Sequence, residues 1–262
     1  RIRMVKGLYT AYTGMLNEQN RMDIMTNNLA NASTVGYKKE GSTSQSFDDV
    51  LTVKIKDQSV GMRNVQRLGV KNPGVKIGEN YTDYSQGSFR ITGNTYDLAL
   101  SGEGFFAIEF TNKAGETDTK YTRAGQFTLN KDGYLVTEEG DYVLDTQNRR
   151  IRLNTLIDSS ITDDGTIYQN GQAVAKIQVT DFEDYDYLEK YGETYYQPIQ
   201  GAKTIAAKAQ VKSGYLEMAN VQIVSEMVNL ISITRAYESN QKVVQTIDDT
   251  LDVAVNQIGR VQ

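Results

Sequence analysis

Two long stretches repeat apolar residues at alternating spacings of three and four, and they lie at opposite ends of the chain. Within residues 4–31, Leu8, Tyr12, Met15, Gln19, Met22, Thr26 and Leu29 share one face, widened by Val5, Leu16 and Met25. Asn17, Glu18, Asn20, Arg21 and Asp23 form the opposite, solvent side. This pattern predicts an amphipathic helix ending near Asn31, with Gly36 as the breaker beyond it. A second, longer helix is predicted over 220–258, with Asn220 as its N-cap. Val224, Met227, Leu230 and Ile231 open its stripe. Val244, Ile247, Leu251, Ala254 and Ile258 continue it, and Thr234, Tyr237 and Gln241 form a more polar middle. Pro73 and Pro198 both lie outside these helices. Nothing adjacent in sequence covers either apolar face. The two helices can pack on each other, on copies from neighbouring chains, or as a plain intramolecular pair, and spacing alone leaves these open.

Between the helices the period changes to that of strands. Residues 97–101 and 105–110 read as short strands, followed by a hairpin turning at Asp132-Gly133 and another turning at Asn170-Gly171. Turns recur every eight to twelve residues, as in a sandwich or small barrel. Residues 39–80 are rich in Ser, Thr, Gln, Lys and Gly and read as an extended arm with some strand. Residues 181–197 are acidic and tyrosine-rich and read as an exposed loop.

Composition narrows the chemistry. The chain has 262 residues and a net charge of −5, which argues against a general nucleic-acid binder. It contains no Cys and no His, which removes thiolate or imidazole zinc sites, Ser-His-Asp triads and Cys-His dyads. No apolar run reaches bilayer length, so no membrane insertion is expected. The basic start at Arg1, Arg3 and Lys6 is followed by a segment too polar for a signal-peptide core, so export would need another route. Gly102-Glu-Gly104-Phe-Phe-Ala107 matches a dinucleotide fingerprint, but a strand rather than a helix follows, so it reads as a glycine turn. Asp181, Glu183, Asp184 and Asp186 lack the sharp glycine turn typical of a calcium loop. No carboxylate pair is singled out for acid–base work. No catalytic residue, metal or cofactor is expected. The short sequons at Asn31-Ala-Ser33 and Asn80-Tyr-Thr82 are set aside as chance matches.

Four blocks then carry a resemblance. Gly7-Leu-Tyr-Thr-Ala-Tyr-Thr-Gly-Met-Leu precedes Asn27, Asn28, Leu29, Ala30, Asn31, Ala32, Ser33, Thr34, Val35, Gly36, Tyr37 and Lys38. Next come residues 86–106, then Tyr121-Thr-Arg-Ala-Gly-Gln-Phe127 with Gly133-Tyr-Leu-Val-Thr, and last 213–221 running into Glu226-Met-Val and Arg235, Ala236, Tyr237 and Glu238. In this order they closely resemble the signatures of bacterial flagellar rod and hook proteins. The resemblance implies an α+β fold. Residues 1–38 and 212–262 would form a discontinuous, coiled-coil-like helical assembly domain, 39–80 an extended arm, and 81–211 an all-β domain. It implies a non-enzymatic subunit of the basal-body rod that self-assembles into a stiff helical tube and transmits torque. Its partners would be copies of itself, other rod and hook proteins and the type III export apparatus, which would carry it to the cell envelope without a cleaved signal peptide. The chain is too short for a hook protein. Glu226-Met-Val with Arg235-Ala-Tyr-Glu most resembles the distal rod type, with proximal rod proteins and paralogues as alternatives. A cell-wall or carbohydrate-binding β module is the competing class. The assembly faces would use Leu8, Tyr12, Met15, Met22, Leu29, Val224, Met227, Leu230, Ile231, Val244, Ile247, Leu251 and Ile258.

Overall fold

The structure, a computed structural model, describes residues 2–48, 50–54, 66–112 and 115–256. The chain divides into two compact units. The first comprises residues 1–29, 40–82 and 223–262, and the second residues 30–39 and 83–222.

In the first unit, α1 spans Ile2–Ala30 and α2 spans Ile223–Asn256. Both are proline-free, as their unbroken three–four periodicity requires. Ile258, expected on the second stripe, lies outside the described residues. The arm is more regular than its polar composition predicts. Strand β1 (Glu40–Ser46) continues into β2 (Val50–Lys54); the chain returns through β3 (Gln66–Lys71) and β4 (Val75–Thr82). Pairing is antiparallel throughout, from Glu40↔Thr82 at the root to Lys54↔Gln66 farther out. A side-chain and backbone knot joins the two halves: the Phe47 N–H donates to the Gly74 carbonyl and the Asn72 amide to the Phe47 carbonyl.

In the second unit, β5 (Phe89–Ile91), β6 (Leu98–Ser101), β7 (Phe105–Thr111) and β8 (Thr117–Thr122) come first. They are followed by β9 (Phe127–Leu129), β10 (Leu135–Thr137), β11 (Tyr142–Val143), β12 (Ser159–Ile161), β13 (Thr166–Gln169) and β14 (Gln172–Lys176). Then come β15 (Val179–Phe182), β16 (Leu188–Tyr191), β17 (Tyr195–Pro198), β18 (Thr204–Ala206), β19 (Gln210–Ser213) and β20 (Tyr215–Glu217). The main sheet runs β16-β17-β8-β7-β11-β10-β9, with β15 on β7 and β18 on β15. Smaller sheets are β12-β13-β14, β19-β6 and β20-β5. The two predicted hairpins are present, with Gly133 at φ 81 and Asn170 and Gly171 at φ 52 and 76, the left-handed values such turns demand.

Strand β7 explains the core. It is buried on both faces, so its sequence is an apolar run rather than an alternation. Phe106 points into a cluster with Phe127, Leu135 and Ile167, where the Phe106 and Phe127 rings meet edge to face at 5.2 Å. Phe105 and Ala107 point the other way, onto Tyr121, Phe182 and Tyr196. Gly102 and Gly104, at φ 117 and 134, make the bend before β7, and no helix follows.

Two expectations are corrected. Residues 181–197 are not an exposed loop: they hold the end of β15, a short 3-10 turn at Tyr185–Tyr187 and the hairpin β16–β17. Phe182, Leu188, Tyr195 and Tyr196 are buried there, because tyrosines bring large rings as well as hydroxyls. Asn220 does not cap α2. Its amide oxygen accepts from the Lys39 N–H at 2.8 Å and its nitrogen donates to the Asp83 carbonyl at 2.8 Å, tying together segments of the second unit.

Phe106→Ala should destabilise the second unit by about 3–5 kcal/mol. Urea denaturation followed by aromatic circular dichroism measures this.

Candidate assembly interface

Helix α1 presents three sides with different chemistry. One meets α2. A Cβ placed on Gly7 would lie 3.6 Å from Ile247, and one on Gly14 2.9 Å from the Asn240 amide, so the helices run antiparallel and touch closely at small residues. On α2 this side is Leu230, Ile233, Tyr237, Asn240, Val244, Ile247 and Leu251, buried or half-buried at steps of three and four. The expected middle of the stripe is displaced: Ile233 is fully packed and Gln241 is exposed. Ile233 continues the spacing Leu230, Ile233, Tyr237, and that signal was present in the sequence.

The second side of α1 meets the arm, and it is the polar one. Asn17 is buried and accepts from the Ser44 hydroxyl at 3.0 Å. Thr10 donates to the Pro73 carbonyl at 3.2 Å. Asn28 is wholly buried, gives its amide hydrogen to the Glu40 carbonyl at 2.8 Å and accepts the Glu40 N–H at 2.9 Å. This corrects the expectation that Asn17 faces solvent. The arm supplies backbone groups that need partners, so a polar helix face suits it better than an apolar one.

The third side lies open. Tyr9, Tyr12 and Leu16 are exposed, while Leu8, Met15, Met22 and Leu29 are half-buried. On α2, Ile223, Val224, Met227, Val228 and Ile231 are exposed together, Val224 at 77%. The residues expected to form one interface therefore separate. Ile247 meets α1 at Gly7, and Leu230, Val244 and Leu251 share its stripe half-buried; Tyr12, Val224, Met227 and Ile231 are exposed. Tyr9, Leu16, Ile223 and Val228 belong to the outward set and were not anticipated. Exposed large apolar side chains gathered in this way, at two places along the helices, are features of an interaction surface.

The motif residues after α1 do other work, inside the second unit. The Thr34 N–H closes a turn on the Asn31 carbonyl at 3.1 Å, and its hydroxyl bonds the Asn31 side chain at 3.1 Å. Gly36 has φ 70, and a Cβ there would lie 2.3 Å from the Ala124 nitrogen, so no other residue fits. Its N–H donates to the Glu217 carbonyl at 2.8 Å. Lys38 and Glu217, both fully buried, pair at 2.7 Å. The Lys38 ammonium also donates to the Ser85 carbonyl at 2.7 Å. The second Glu217 oxygen takes Arg123 at 3.2 Å, and the first also accepts the Gly87 N–H at 3.0 Å. Burial pushes the Lys38 amine below its usual range, against the pull of Glu217 toward the charged form. Lys190 stands 4.2 Å from the Tyr37 ring centre. Asn27 and Ala30 are exposed on α1; Arg235 and Glu238 are exposed and Ala236 and Tyr237 half-buried on α2.

Glu217→Ala strands two buried cations and should cost about 3–5 kcal/mol, whereas replacing Lys38, Arg123 and Glu217 together by Met should recover most of that loss. Thermal melts of the two variants decide it. Burial acts to raise the Asp83 carboxyl, but hydrogen bonds from Ser85 and the nearby Lys39 ammonium outweigh it and hold it below the usual aspartate range. A folded value below the unfolded one gives stability that is present above the unfolded value and lost as pH falls through the folded one. Asp83→Asn should therefore flatten the acid limb of a Tm-against-pH curve relative to the wild type.

These blocks match described families. "Flagella basal body rod protein" matches residues 8–38, "Flagellar hook protein FlgE/F/G D1 domain" residues 99–171, and "Flagellar basal body rod FlgEFG protein C-terminal" residues 212–258. A flagellar basal-body rod protein FlgG of Bacillus subtilis is 34% identical, covering 97% of this chain and 99% of the relative. A FlgF of Caulobacter vibrioides is 32% identical over 98% of this chain and 100% of the relative, and a FlgG of the same organism 34% over 94% and 97%. With motif, fold and full-length relatives in agreement, the chain belongs to the flagellar basal-body rod protein family and is a structural rod subunit, not an enzyme.

Proposed function

We propose that the chain builds a stiff helical tube from copies of itself, at the distal rod, and passes torque along it. The observation that carries this reading is the exposure of Tyr9, Tyr12 and Leu16 on α1 and of Val224, Met227, Val228 and Ile231 on α2. Burial of each such large side chain contributes about 1.5–3 kcal/mol, so leaving them in water disfavours the isolated chain and favours stacking of copies. Residues 1–38 and 212–262 act as the assembly domain in the manner of a coiled coil, 39–80 as an arm, and 81–211 as an outer β layer that resists twist. The Glu226-Met-Val and Arg235-Ala-Tyr-Glu segments favour the distal position. Export proceeds through the flagellar type III channel, and other rod and hook proteins bound the tube at its ends.

Concentrated purified protein should form tubes visible by electron microscopy. Val224→Asp with Met227→Asp and Ile231→Asp should abolish them while changing monomer stability by no more than about 1 kcal/mol, since these side chains are exposed in the monomer. Leu230→Asp should destabilise the monomer more than the triple variant does, because Leu230 is half-buried on the same α2 stripe as the buried Ile233. Normal tubes from the triple variant would end the proposal.

A further inference from the structure

Methionine carries all the sulfur in this chain: there are seven Met and no Cys, so no thiol competes for an oxidant. Among the described side chains Met15, Met22, Met25 and Met218 are half-buried, and Met227 alone is exposed, at 49%. It stands on α2 where the exposed apolar side chains gather. Its neighbours one turn away in either direction are Ile223, Val224, Leu230 and Ile231, none of which has a polar side-chain atom. Ile223, Val224 and Ile231 are exposed beside it. The nearest polar side chains in sequence that are also exposed, Ser225 and Asn229, lie two positions away and face other sides of the helix. The turn around Met227 therefore offers no side-chain hydrogen-bond donor.

We propose that Met227 is a peroxide-sensitive gate on assembly: as the sulfoxide it keeps a copy out of the polymer, and as the thioether it admits it. The inference rests on the assembly reading above and names a regulation of that same surface. In the oxidation a sulfur lone pair attacks one oxygen of hydrogen peroxide, the O–O bond breaks, an S–O bond forms and water leaves. Sulfur gives up two electrons and the peroxide takes them. The product places a strong acceptor on a side chain that was apolar. On a free copy water solvates that oxygen. Against a second copy it is withdrawn from water among Ile223, Val224, Leu230 and Ile231, and an acceptor buried without a donor is costly. The change is reversible: a sulfoxide reductase supplied with a dithiol restores the thioether, the oxygen leaves as water and the dithiol becomes a disulfide.

Brief treatment of the full-length monomer with dilute hydrogen peroxide, followed by peptide mapping in a mass spectrometer, should place the first added oxygen on Met227. Sedimentation and electron microscopy should then show that the oxidised protein needs at least about tenfold more material to form tubes than the untreated protein. Incubation with a methionine sulfoxide reductase and dithiothreitol should bring the threshold back. In preformed tubes Met227 should react more slowly than in the monomer. Met227→Leu has a threshold of its own, measured without peroxide, and peroxide should leave that threshold where it is. An oxygen that arrives first on another methionine, tubes from the Met227 sulfoxide at the untreated threshold, or a Met227→Leu threshold that peroxide raises as it does the wild type's would each overturn the gate and leave helix-driven assembly standing. Untreated protein that forms no tube at any concentration would remove the assembly reading and the gate with it, even where the monomer map places the oxygen on Met227.

Discussion

Glu217 is the point on which the second unit depends. One carboxylate, with no exposure to water, neutralises Lys38 from the segment after α1 and Arg123 from the loop after β8, and it receives the Gly87 N–H as well. Four distant stretches of sequence therefore meet at one pair of oxygens. Charges removed from water are costly unless geometry and extra hydrogen bonds satisfy them, and here both cations have further carbonyl acceptors in Ser85 and Gly102. The arrangement ties Lys38, Gly87, Arg123 and Glu217 together within the second unit. Gly36 enforces the same placement sterically, since any side chain there would strike the backbone at Ala124.

The first unit divides its labour by polarity. Threonines and asparagines of α1 hold the arm through hydrogen bonds and glycines bring α1 up to α2, while Tyr9, Tyr12, Leu16, Val224 and Val228 stay exposed beside the buried Ile24 and Ile233. An ordinary amphipathic helix keeps its amides in water, whereas α1 buries Asn17 and Asn28 against the arm and leaves part of its apolar surface outside.

This division also explains what was legible in the sequence. Helix positions followed from periodicity alone, and both hairpins followed from Asp-Gly and Asn-Gly, because those signals are local. Strand β7 was readable as an apolar run. The burial of Asn17 was not, because a polar face packed on backbone looks the same as one packed on water. The tyrosine-rich β16–β17 hairpin was misread as a loop because acidic neighbours dilute its alternation. Lys38 and Glu217 each stood inside a recognised block, but 179 residues separate them, and no pattern in one sequence says that they touch.

The arm begins and ends at a single cross-strand pair, Glu40 and Thr82. Its root therefore does not sense how long it is. Two residues can be added to or removed from each strand together and every remaining side chain keeps its face, whereas a change in one strand alone slips the register. Such an element can be lengthened or trimmed by evolution in paired steps, much as a measuring tape is drawn from its case, without refolding anything at its base.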